Sequence, residues 1–145
     1  MTIPRLELPA CLLLSKLMQR VGALKLKIDD VKLRSDSSIA LALINTSPHL
    51  LKTFVSNRVS QIQQLTSNYQ WGHVSSKMNP ADIISRGSDA TTLGSNKLWW
   101  KGPDFLNKHN FQDKNGLSHE LYSSELKPVT TSFLTLKLIH FLMTA

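Results

Sequence analysis

The chain holds one cysteine in 145 residues. That scarcity excludes an internal disulfide framework and any cysteine-based zinc site. Cys11 falls in a leucine-rich helical pattern and reads as a small core residue. A reduced, intracellular setting fits it. Long apolar runs are lacking too. The longest are Cys11 to Leu14 and the tail from Phe133 to Met143, which Lys137 and His140 interrupt. Both fall far short of the ~20 residues that cross a bilayer. The N-terminus makes a poor secretory signal, with Glu7 beside its only early charge, Arg5, and no small-x-small pattern after Leu14. The expectation is an intracellular chain with no membrane span and no secretion.

Acidic side chains are scarce as well: 10 against 17 basic, a net charge of +7. Most of the surplus lies in residues 1–72, which carry nine basic and four acidic side chains, against eight and six in 73–145. Such a balance points to an acidic partner, most commonly nucleic acid, with an ordinary charged surface as the competing reading. Lys16, Arg20, Lys25, Lys27 and Arg58 are candidates for a phosphate-tracking face.

What is present is enough for a fold. The length suits one domain with a real core. With 41% apolar and 19% charged residues, global disorder is excluded. Leu13, Leu14, Leu17, Met18 and Val21 recur at helical spacing between Pro4 and about Ala23. Pro9 removes an N–H inside that helix, so its regular part is expected nearer Leu8. Lys27 to Arg34 reads as a strand. Ser35 to Ser38 offers N-cap residues for a short second helix ending near Asn45 to Pro48. Pro48 opens a third helical pattern through Phe54, Val55, Val59, Ile62 and Leu65. Tyr69 to Val74 reads as a second strand. Asn79 as cap, Pro80 at the first helical position and Asp82 in the first turn mark a last core helix. Ile83 and Ile84 are expected to face inward and Gly87 to end it. Residues 88–97 read as loop. Trp99, Trp100, Phe105 and Leu106 form an apolar island expected to pack on the core, with linker over 107–125 and an amphipathic tail from Ser132. The order is α/β with too few strands, since two strands do not make a stable sheet. Residues 1–90 are read as the partial domain and 91–145 as a post-domain segment.

The few carboxylates are placed informatively. Asp36 follows the first strand directly, where ligands collect in an open α/β sheet. Asp82 opens a helix near the same edge, and Glu7 lies at the front of the first helix. Carboxylates converging there would repel one another without a cation. Oxygen ligands suit Mg²⁺ or Mn²⁺, and two such ions support phosphodiester cleavage. Structural readings compete: Glu7 and Asp82 as first-turn acids favoured by the helix dipole, and Asp36 as an N-cap.

Five segments occur in one order: Ile3-Pro4-Arg5-Leu6-Glu7-Leu8, Ser35-Asp36-Ser37, residues 52–59 (KTFVSNRV), residues 79–87 (NPADIISRG) and residues 98–106 (LWWKGPDFL). Together they resemble the ribonuclease H-like region of BEL/Pao-type LTR retrotransposon Pol polyproteins. The resemblance implies a mixed sheet flanked by helices, and a two-ion Mg²⁺ site held by four carboxylates that hydrolyses RNA in RNA–DNA hybrids. By motif match, Glu7, Asp36 and Asp82 are three of the four catalytic and metal-binding acids. The family's first three strands, with the fourth acid, have no counterpart after Met1. The expectation is thus an incomplete ribonuclease H-like α/β fold, an impaired metal site, and little or no hybrid cleavage by this chain alone. Its expected partners are an RNA–DNA hybrid or other nucleic acid and the rest of the polyprotein, reverse transcriptase and integrase. A non-catalytic nucleic-acid-binding remnant and an inert fragment are the alternatives. His73 reads as a strand residue with a structural or surface role, or as a proton shuttle. Lys77 is a candidate phosphate contact, and Arg34 a candidate partner for a site carboxylate. Trp99 and Trp100 are candidates for base stacking.

Overall fold

The computed structural model describes residues 3–28, 30–107 and 119–128. The tail from Ser132, and residues 108–118 of the expected linker, lie outside the described residues. The architecture is mixed α/β: helices packed on a parallel pair of strands.

Helix α1 runs from Ile3 to Ala23 and carries Pro9 inside it. The expected late start near Leu8 is therefore corrected: the helix tolerates the missing N–H of Pro9. Leu8, Cys11 and Ser15, at steps of three and four, form its buried stripe. Ser15 is polar but satisfied, its hydroxyl donating to the Cys11 carbonyl at 2.8 Å. The opposite face is also apolar, and Leu6, Leu13 and Leu17 are exposed along it.

Strand β1 (Lys32–Ser35) is half the expected length and starts later. Asp30 forms an ion pair with Lys32 at 3.5 Å just before it. Helix α2 (Ser38–Ile44) follows at once, capped by Ser37, whose hydroxyl accepts from the Ala40 amide. Its residues Ala40 to Ile44 are all buried, so this apolar helix is the centre of the core. Pro48 begins a 3₁₀ turn, Pro48–Leu50, and helix α3 starts only at Thr53 and runs to Leu65. Val55, Val59 and Ile62 form its inner stripe. Gln63 donates to the carbonyls of Ile44 and Thr46 at 2.8 and 3.1 Å, covering acceptors left open where α2 ends. Leu8 of α1, Leu43 of α2, Leu51, and Val59 and Ile62 of α3 are all fully buried in one cluster.

Strand β2 (Gln70–His73) pairs with β1 in parallel, Lys32 opposite Gln70 and Ser35 opposite His73. Parallel pairing needs a crossover connection, here supplied by α2 and α3. Residues 119–128 return to the core. Leu126 bridges Leu51 in antiparallel fashion, and the Lys52 amide donates to the Glu125 carbonyl at 2.9 Å.

Helix α4 (Pro80–Ser85) is capped by Asn79 as expected, and Gly87 follows it at φ +81°, where a side chain would be strained. Ile84 is 48% exposed, which corrects its inward assignment. The expected loop over 88–97 is replaced by two short helices, α5 (Ala90–Ser95) and α6 (Lys97–Lys101). The apolar island divides: Phe105 is buried, while Trp100 is 68% exposed. Among the described residues, no helix is long and apolar enough to cross a membrane.

Candidate functional site

The carboxyl end of β1 leads into Asp36, and Glu7 reaches the residue beside it. Parallel pairing closes there, the Val74 amide donating to the Ser35 carbonyl at 3.0 Å. The next two residues, Asp36 and Ser37, turn into α2, and the Ser37 amide donates to the Ser35 hydroxyl at 3.2 Å. Ser37 then has two tasks. Its hydroxyl accepts from the Ala40 amide at 3.0 Å and donates to Glu7 Oε2. One hydroxyl can do both, having one proton and two lone pairs. Glu7 thus reaches from α1 across to the start of α2. It lies in the second turn of α1, because the helix begins at Ile3, so the first-turn dipole reading does not apply.

Asp36 is not the cap of α2; Ser37 is. The Asp36 carboxylate instead accepts from the Ser76 hydroxyl at 3.3 Å, and its carbonyl lies 3.2 Å from Nε2 of His73. His73 is exposed, so its ring is open to solvent beside that carbonyl. The buried Cys11 thiol feels the charge of both Glu7 and Asp36. Burial pushes it up to about 11, the Ser35 hydrogen bond opposes this, and the negative charges of Glu7 and Asp36 push it further up.

Asp82 stands apart from that pair. It sits in the first turn of α4, where its carboxylate pairs with Arg86 at 2.9 Å and accepts from Ser85 at 3.3 Å. Among the described residues, no three His, Cys, Asp or Glu side chains come close enough to share a metal ion. Arg34 donates to the His73 carbonyl at 3.1 Å, and its guanidinium lies 4.9 Å from the centre of the Phe105 ring. Arg58, offered as part of a phosphate-tracking face, stacks on Phe54 at 3.5 Å and donates to its carbonyl. Lys16 and Arg20 line a shallow cavity of about 360 Å³ with Gln19, Gln61 and Gln64.

Sequence reasoning passed over Ser37 and Ser76 as partners of the acids. The Ser-Asp-Ser run carried the signal for the first, since a hydroxyl next to an acid at a strand–helix junction can serve both. Nothing in the sequence marked Ser76. The donor set that results is two carboxylates backed by hydroxyls at a strand end. Such oxygens suit one hard cation, which commonly takes one or two carboxylates and keeps water in its other positions. As Asp82 is placed, the set does not extend to a two-ion site. No protein-family model matches the chain, and neither does any curated protein or solved structure.

Proposed function

We propose that the chain is a ribonuclease H-derived element of a BEL/Pao-type retrotransposon polyprotein, a nucleic-acid-binding relative of RNA–DNA hybrid hydrolases with weak chemistry of its own. The observation that carries this reading is the reach of Glu7 from α1 onto Ser37, the residue next to Asp36 at the carboxyl end of β1, from a position 29 residues before that aspartate along the chain. Glu7 and Asp36 would hold a single Mg²⁺ or Mn²⁺, and Ser37 and Ser76 keep their oxygens oriented. A bound ion there supplies positive charge for phosphate oxygens and lowers the pKa of a coordinated water. Asp82 is the third acid of the motif, and Arg86 competes with any cation for it. That ion pair favours binding without efficient hydrolysis as the chain's own activity.

The test is cleavage and binding of a labelled RNA–DNA hybrid by the full chain, with Mg²⁺ or Mn²⁺, beside Asp36→Asn and Glu7→Gln. The expected result is salt-sensitive hybrid binding with slow cleavage that either substitution abolishes. Cleavage untouched by both substitutions would overturn the assignment of the acids. Absence of hybrid binding at low salt would overturn the reading as a whole.

A further inference from the structure

One groove of the molecule is lined by three lysines from two separate stretches of the sequence. Lys77 comes from the 3₁₀ turn after β2, Ser76–Met78, while Lys97 and Lys101 lie one turn apart on α6. Together they line a cavity of about 500 Å³ with Met78, Leu98 and Asp104. Among the described residues none of the three has a carboxylate partner. Three cations against the single Asp104 leave the groove electropositive. Beside Lys101, Trp100 exposes 68% of its surface. Its indole N–H is already used, donating to the Leu93 carbonyl at 3.1 Å, so the ring is held in place.

We propose that this groove binds the phosphodiester backbone of a nucleic-acid strand, with Lys77, Lys97 and Lys101 on the phosphates and Trp100 stacking on a base. Lysine is a point charge suited to phosphate, and a fixed, exposed aromatic ring accepts any base face. An acidic peptide would use the cations but has no planar group for the indole. The position fits the candidate site. Ser76, which donates to Asp36, is the residue before Lys77, so the groove's Lys77 adjoins the partner of that carboxylate. The proposal rests on the hydrolase reading for the identity of the strand, and on the groove itself for its chemistry.

The experiment is binding of a short fluorescein-labelled poly(U) RNA by the full chain in EDTA, so that no hydrolysis intervenes. The compared variants are Lys77→Ala/Lys97→Ala/Lys101→Ala and a charge-matched Lys32→Ala/Lys52→Ala/Lys127→Ala. All six lysines are exposed, so both variants should fold, which a denaturant titration checks. The groove variant should lose about tenfold in affinity at low salt, and its log–log salt slope should flatten by about 2, at roughly 0.7 per single-strand phosphate contact. Trp100→Ala should weaken binding without changing the slope. The control should keep most of its affinity. Equal losses in the two triple variants would overturn the groove in favour of net charge. Displacement by polyglutamate as effective as by unlabelled RNA would overturn it in favour of an acidic peptide. The two proposals fail separately. Groove-dependent binding without any Asp36-dependent cleavage sinks only the hydrolase reading, and Asp36-dependent cleavage by a groove variant that binds RNA as wild type does sinks only the groove.

Discussion

Helices α1 to α3 and helices α4 to α6 are stabilised by different means. The first three hold ten of the fourteen buried apolar side chains among the described residues, and α2 is buried over most of its length. The last three contain no buried residue at all. Each of them has a side-chain cap instead: Asn79 accepts from Ala81 at 3.1 Å, Asp89 from Thr92 at 2.8 Å, and Asn96 from Trp99 at 3.2 Å. Isolated helices this short are marginal in water, so caps and a few contacts decide whether they form. The difference separates a scaffold from an appendage. The core fixes Glu7 and Asp36, while the capped helices present Lys97, Lys101 and Trp100.

The largest effect should come from the core. Ile62→Ala removes a fully buried side chain between α1 and α2 and should cost about 2–5 kcal/mol. Ile84→Ala on α4 should stay within about 0.5 kcal/mol, as for other exposed positions. Urea unfolding midpoints measure both, and equal losses would break the contrast between the two regions. Next comes Ser37→Ala, which removes a cap and the partner of Glu7 together. A cost of about 1–2 kcal/mol is expected. Ser37→Thr keeps the hydroxyl and should restore most of it. A smaller cost than that of Asn96→Ala would mean that the two regions are capped alike.

Cys11 offers a probe that tells the regions apart by rate. Its thiol is buried and raised to about 11 from 9.0, chiefly by burial. It should therefore resist disulfide reagents at pH 8 in the folded chain. The sign follows from the direction of the shift. The folded state favours the neutral thiol, so this contribution is complete below pH 9 and fades as pH rises through about 11. Labelling should track opening of the core, accelerating about tenfold for each 1.4 kcal/mol that Ile62→Ala removes. Ile84→Ala should leave it unchanged.

The sequence made the core more legible than the site. Steps of three and four through Val55, Val59 and Ile62, and the Ser-Asp-Ser and Asn-Pro-Ala-Asp caps, are local signals, and local hydrogen bonds decide them. Pro9 misled because its cost is local while α1 is held along its length by packing against α3. Residues 88–97 misled in the opposite direction. Their polar composition suggested loop, yet Asp89 and Asn96 are themselves the caps that start α5 and α6. Topology was expected to bring Asp82 to the edge that holds Asp36, while Glu7 was tied to Asp36 by motif match alone. The pairing of Asp82 with Arg86 was not expected, although an i, i+4 acid–base pair is visible in the string itself. Lys77 and Trp100 were read singly as phosphate and base contacts, but their grouping with Lys97 and Lys101 was not legible, because Lys77 and Lys97 come together only in the fold.

The smallest effect expected is local and belongs to Asp89. Its carboxylate accepts from both the amide and the hydroxyl of Thr92, at 2.8 and 2.6 Å, and these bonds hold it below its ordinary value of 3.8. A depressed carboxylate stabilises the structure it caps above its unfolded value, and that support is lost as pH falls through the folded one. The group is fully exposed, so the loss should be confined to α5 and leave global unfolding unmoved. Amide exchange at Thr92 should quicken as pH falls below the ordinary value of 3.8, relative to its intrinsic rate, while Val59 in α3 shows no matching change. Asp89→Asn keeps a cap without the charge and should remove this pH dependence. If Val59 loosens together with Thr92, the capped helices share the stability of the core, and the division between scaffold and appendage fails.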